Sequence, residues 1–279
     1  MIFILKNNRG KYTKKGERRK AKGKRKFVNC LIMKNIIFSV ALIVSVLFAN
    51  GAHVDTVSIY VECMKKETKI CIVTPDIYKE NGEKLPVLYL LHGYSGNYAT
   101  WVNGFPQLPK DADLYNMIIV CADGGYSSWY FDSPVDSTMK YETYITKELV
   151  PYIDQNYNTI ANRSGRAISG LSMGGHGALY IAIRHQDLFG AAGSMSGAVD
   201  IRPFRSHFDL TLRLGEMALY PENWEKYTVF YQLPLLKKEP LAMIIDCGVN
   251  DFVITVSNLL FLLALRLSPS AFFLKKSNS

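Results

Sequence analysis

A chain of 279 residues, 48% of them apolar and 20% charged, has room for one large domain or two small ones and can bury a sizeable core. Its Gly, Pro and aromatic content excludes a collagen-like or disordered chain. The net charge of +9 points to nucleic acid only until it is located: residues 1–34 hold 13 of the 33 Lys and Arg and one acid, Glu17, leaving everything after Lys34 at −3. No nucleic-acid partner is therefore expected of the body of the chain.

The basic stretch within residues 1–32 lacks apolar periodicity and reads as a disordered leader, either an arm or sequence upstream of a true start at Met33. Residues 33–52 have the layout of a secretory signal peptide: a short positive start, an apolar run from Ile36 to Ala49, and small residues at Ala49, Gly51 and Ala52. That run of 14 residues is short of the ~20 a spanning helix needs. The expected product is secreted or periplasmic, without stable membrane insertion after cleavage. Residues 53–258 then alternate short β-branched runs with longer helical ones. "VSIYVE", "TKICIVTP", "PVLYLLHG", "YNMIIVCAD", "GRAISGLS", "FGAAGSMSGA" and "LAMIIDCGVND" read as strands; "DSTMKYETYITKELVPYIDQNY" and "MGGHGALYIAIRH" read as helices. The alternation predicts an α/β fold with a mostly parallel sheet covered on both faces. Residues 202–239 fit it less well and read as a cap. Of the five cysteines, Cys63, Cys71, Cys121 and Cys247 lie in the body, with no C-x-x-C spacing and no cysteine–histidine cluster, so no metal is expected. Spacing alone shows no disulfide.

Gly170-Leu171-Ser172-Met173-Gly174 is a G-x-S-x-G pattern between a predicted strand and a predicted helix, where a nucleophile elbow stands. Flanking glycines let strand and helix backbones approach, and the helix start favours developing negative charge. "LLHGYSGN" supplies a loop whose Tyr94 N–H would act with the Met173 N–H as an oxyanion hole, with His92 bracing the loop. In "IIDCGVNDF" the acid is Asp251, beyond the turn at Gly248, in preference to Asp246 inside the apolar run.

On "LYLLHGYSGNYATW", "YETYITKELVPYID", "RAISGLSMGGHGALYIAIRHQDLFGAAGSMSGA" and "IIDCGVNDF", residues from about Val57 to Asn258 resemble the esterase family of α/β hydrolases. That family includes S-formylglutathione hydrolases (esterase D), feruloyl and acetyl-xylan esterases, and the antigen 85 mycolyltransferases. The resemblance implies Ser172 as nucleophile, Asp251 as triad acid, Tyr94 and Met173 as oxyanion donors, and no cofactor. Trp101, Trp129 and Tyr130 would lie near the cleft, either lining it or as structural aromatics beneath a loop. The implied partner is a small ester or an ester-bearing carbohydrate.

The resemblance also implies a histidine after the acid, on a loop following one more strand. His53, His92, His176, His185 and His207 all precede Asp251. The expectation is therefore an exported serine carboxylic-ester hydrolase with impaired activity. Its α/β-hydrolase fold is expected to lack the last strand and helix, and residues 259–279 to form an aberrant tail. A thioesterase like S-formylglutathione hydrolase and a non-catalytic ligand- or carbohydrate-binding module are the competing readings.

Overall fold

Short apolar or alternating runs set the strands, and each is found where its run lies. β1 is His53–Val61, β2 Lys66–Thr74, β3 Val87–Leu91, β4 Ile118–Ala122, β5 Arg166–Leu171, β6 Ala191–Met195 and β7 Ala242–Gly248. The structure, a computed structural model, describes residues 33–34, 51–78, 82–237 and 241–248, together with the backbone of 272–277. The basic leader, most of the signal segment, Asp251 and the start of the tail lie outside the described residues. The chain divides into two units, Met1–Asn50 and Gly51–Ser279, and only Met33 and Lys34 of the first are described.

The strands join in the order β1-β2-β4-β3-β5-β6-β7-β8. β1 with β2 and β2 with β4 are antiparallel; all later pairs are parallel. β8, Phe272–Ser277, pairs with β7 from Met243↔Phe272 to Gly248↔Ser277. The expectation that the last strand is lacking is thus corrected. "AFFL" is a short apolar run of strand length, and the Lys275–Lys276 pair that made the segment look like a polar tail is a residue type favoured at sheet edges.

Successive steps along the sheet change direction after β4, so right-handed crossovers put helices on opposite faces. α1 (Thr100–Gly104) and α2 (Leu108–Tyr115) connect β3 to β4 and pack Trp101, Leu108 and Ala112 against Cys71, Val73, Leu90 and Cys121. On the other face lies α4 (Met173–Arg184), buried from Met173 to Ile183. A helix apolar all round belongs in the middle of a core, and Leu179, Ile181 and Ile183 each contribute roughly 1.5–3 kcal/mol by burial.

The helix predicted around "YETYITKELVPYID" begins later than its pattern, at Tyr141, because Asp136 caps a turn through the Thr138 N–H at 3.0 Å and hydroxyl at 2.6 Å. This α3 runs Tyr141–Thr143, widens to a π-turn over Tyr144–Leu149, and continues as Val150–Asn156. Pro151 has no N–H to donate to Lys147, and the π-turn just ahead of it absorbs the misfit.

His176, on α4, belongs to this core. It is fully buried, with Nδ1 2.9 Å from the Ala198 carbonyl, its ring stacked on Tyr180 at 5.9 Å and edge-on to Trp129 at 5.3 Å. Burial pushes its pKa down to about 4 against the opposing pull of the Ala198 and Tyr227 carbonyls, so the ring is neutral.

Two outcomes follow from this packing. A Cβ at Gly174 would stand 2.4 Å from the Leu91 carbonyl oxygen, and one at Gly170 2.4 Å from the Gly174 backbone, whereas one at Gly104 meets nothing within 4 Å. Gly170→Ala or Gly174→Ala should lower urea-measured stability by about 3 kcal/mol, and Gly104→Ala should leave it nearly unchanged. His176 takes up a proton at about 6.5 when unfolded but only at about 4 when folded. Below pH 6.5 the unfolded state therefore binds more protons, and stability falls as the pH drops toward 4, by about 3 kcal/mol from this residue. Comparing the pH dependence of urea unfolding with that of His176→Phe should show the variant's profile flattened across this window.

Candidate active site

β5 ends at Leu171 and α4 begins at Met173, so one residue must reverse the chain between them. That residue is Ser172, at φ 54 and ψ −114. A left-handed φ in a residue with a Cβ is strained and persists only where its surroundings over-determine it. Here the Ser172 N–H donates to the Met195 carbonyl at 2.8 Å, and its carbonyl accepts the His176 N–H at 3.0 Å. The hydroxyl side stays half-buried, at the N-terminus of a twelve-residue helix.

The loop after β3 closes against this serine. A Cβ at Gly93 would stand 3.6 Å from the Ser172 Cβ. His92 is buried and fixes the loop through both ring nitrogens: Nδ1–H donates to the Gly93 carbonyl at 2.7 Å, and Nε2 accepts the Gly124 N–H at 2.8 Å. A carbonyl can only accept, so the tautomer follows, and the Nε2 lone pair is already engaged. The Tyr130 hydroxyl adds a donation to the His92 carbonyl at 3.2 Å. Beside this ring lies Asp123, with the Gly125 N–H at 2.6 Å and the Tyr98 N–H at 3.4 Å on its carboxylate. Burial works against the charge, but the Gly125 and Tyr98 N–H groups favour it, and the carboxyl stays below its usual range.

Tyr94, half-buried on this loop, and Met173, buried as the first residue of α4, thus flank Ser172 from two elements. The Tyr94 hydroxyl donates to Asp209 Oδ2 at 3.2 Å, and its ring meets Tyr126 at 5.0 Å and Phe208 at 5.4 Å. The Trp129 indole N–H donates to the Phe208 carbonyl at 3.0 Å. The cap is therefore fastened to the loop and to the segment after β4. Phe208 and Asp209 both adopt positive φ, 57 and 58, without a glycine to mark the turn, so nothing in "HFDL" announced them. Tyr126 was missed for a similar reason: an exposed loop tyrosine carries no pattern.

Of the aromatics predicted near the cleft, Tyr130 is wholly buried, Trp129 lies over His176, and Trp101 packs on the opposite face of the sheet against Phe105. His185 pairs with Glu142 at 2.8 Å beyond the far end of α4, His53 with Asp55 at 2.9 Å on β1, and His207 contacts Ser206 Oγ at 3.3 Å in the cap. Asp251 lies outside the described residues. Asp246 is half-buried on β7; its carbonyl accepts the Ser196 N–H at 2.8 Å, and its Oδ1 has no hydrogen-bond partner. Among the described residues no cluster of His, Cys, Asp or Glu could hold a metal ion, and no helix is long and apolar enough to cross a membrane.

Comparison with known proteins meets this geometry. The chain is 37% identical over 134 residues to an esterase of Mycobacterium tuberculosis, covering 47% of this chain and 29% of that protein. It is 32% identical over 159 residues to an endo-1,4-beta-xylanase/feruloyl esterase of Xylanibacter ruminicola, covering 53% and 22%. It thus spans less than a third of the length of these relatives. A solved ferulic acid esterase superposes with a TM-score of 0.66 at 28% identity, covering 82% of this chain and 91% of the other. An S-formylglutathione hydrolase from Agrobacterium tumefaciens shares the fold at a TM-score of 0.67 and 21% identity, over 82% of this chain and 87% of that one. Residues 61–246 match the family described as "Putative esterase", and with its strand-to-helix serine in an α/β-hydrolase sheet the chain belongs to that esterase family.

Proposed function

We propose that this chain is an exported serine carboxylic-ester hydrolase acting on small acyl esters, with feruloyl or acetyl groups on carbohydrate as the leading class. The observation that carries the proposal is the strained Ser172, held at φ 54 against the Gly93–Tyr94 loop. Strain of this kind at a cleft is a mark of function. In the proposed reaction the Ser172 hydroxyl attacks the ester carbonyl while the Met173 and Tyr94 N–H groups stabilise the oxyanion. The alcohol then leaves, and water hydrolyses the acyl group from Ser172. Asp251 is the acid that would orient an imidazole. The chemistry calls for no cofactor. Feruloyl activity is named for a relative and a structural neighbour, and an export signal at residues 33–52 favours polysaccharide esters over a cytosolic thioester. Trp129 and Tyr130 are assigned to bracing the cleft walls, and Trp101 to the core beneath the sheet.

The weak step is deprotonation of Ser172. The chain offers no histidine beyond Asp251, His92 and His176 are committed to the backbone, and His185 is paired with Glu142. Loss of one triad member leaves about 10³–10⁴-fold acceleration over water. For p-nitrophenyl acetate, the chain from His53 onward should show only this residual turnover, which comes from the oxyanion hole and binding and so should persist in Ser172→Ala. Added imidazole should raise the rate of the wild-type sequence and not that of Ser172→Ala. Fast turnover without imidazole would mean that a residue such as His207 serves Ser172. No difference between the two proteins, with or without imidazole, would favour the binding-module reading.

A further inference from the structure

Cys71 on β2 and Cys121 on β4 are directly opposed Cα partners in the antiparallel β2–β4 ladder. Opposed residues of such a ladder point to the same face, with Cα atoms about 4.5–5.5 Å apart. That lies within the roughly 4.4–6.8 Å that a disulfide spans, and the Cβ atoms need to close by only about 1 Å. Both side chains, free thiols in this structure, are buried in one apolar cluster beneath α1 and α2, among Val73, Leu90, Trp101 and Ile119. In sequence they are far apart, and only the register brings them together. We infer that Cys71 and Cys121 form a cross-strand disulfide, a modification site that ties the antiparallel edge of the sheet to its parallel body.

The chemistry balances with a small-molecule or protein disulfide as oxidant. One cysteine thiolate attacks the oxidant's sulfur and expels one thiol; the second displaces the other thiol from the mixed disulfide. Two protein thiols are oxidised and one disulfide is reduced, with both protons carried off. Burial, with a smaller contribution from Cys71, pushes the Cys121 thiol up to about 12, so almost none of it is thiolate in the closed fold. The bond accordingly forms while α1 and α2 are not yet docked, and once formed it is shielded from external thiols. Its position is consequential, because Cys121 stands two residues before Asp123, whose carboxylate holds Gly125 beside the His92 ring.

The test refolds the full chain in a buffer of reduced and oxidised glutathione, then denatures it in iodoacetamide to trap every free thiol, and maps peptides without reduction. The reduced chain carries five alkylatable cysteines, and the oxidised one should carry three. The peptides bearing Cys71 and Cys121 should appear joined and lighter by two hydrogens. The oxidised form should melt about 5–10 °C above the reduced form, a difference absent in Cys121→Ala. Alkylation of both residues at every glutathione ratio would overturn the inference, as would joining of either to Cys30, Cys63 or Cys247. Because no activity is read, the outcome is independent of the role given to Ser172.

Discussion

The site depends on three backbones meeting where no side chain could fit. Gly170 on β5 faces the Gly174 backbone on α4, and Gly174 in turn faces the Leu91 and His92 carbonyls at the end of β3. A methyl group at either glycine would push the helix away from the sheet. The turn between them would then relax, because Ser172 keeps its left-handed φ only while the Met195 carbonyl and the first turn of α4 hold it from both sides. The burial of α4 from Met173 to Ile183 is what presses the helix down. Strain at one residue is thus offset by the burial of the apolar side chains of α4.

The same approach organises the loop after β3. His92 follows that strand with its carbonyl against Gly174, and both its ring nitrogens are occupied by backbone partners from two loops. It fixes geometry and cannot also take a proton from serine without releasing Gly124. His176 is excluded differently: its ring is neutral, but it lies among Trp129, Phe131 and Tyr180, and its Nδ1 faces the Ala198 carbonyl. An imidazole contributes to catalysis only where one nitrogen is free to face the nucleophile; His92 has neither nitrogen free, and the His176 ring, its Nε2 included, is enclosed in the core.

Much of this was legible in the sequence because it rests on local pattern. The apolar runs of β1 to β7 and of α4 lie where their periodicity puts them, and "GLSMGG" could be read because glycine spacing reports backbone approach directly. What escaped was set by contacts distant in sequence. The π-turn in α3 answers to Pro151 but leaves no periodic trace. The fastening of Tyr94 to Asp209 spans 115 residues, and the left-handed turn at Phe208 and Asp209 uses no glycine. The opposition of Cys71 and Cys121 follows from strand register, which spacing does not encode. β8 was hidden because an edge strand needs only a short apolar run, and its lysines resemble a solvated end.

β8 changes what the absence of a histidine means. The family resemblance places that residue on a loop after one further strand, and β8 runs parallel to β7, which runs parallel to β6 and β5. All four strands therefore deliver their carboxyl ends to the same edge of the sheet, where Ser172 stands and where open parallel sheets gather their chemistry. The scaffold that would carry an imidazole to the site reaches the right edge, ending at Ser277 opposite Gly248. The parallel framework, the elbow at Ser172 and the loop after β3 thus stand in place apart from the question of the base.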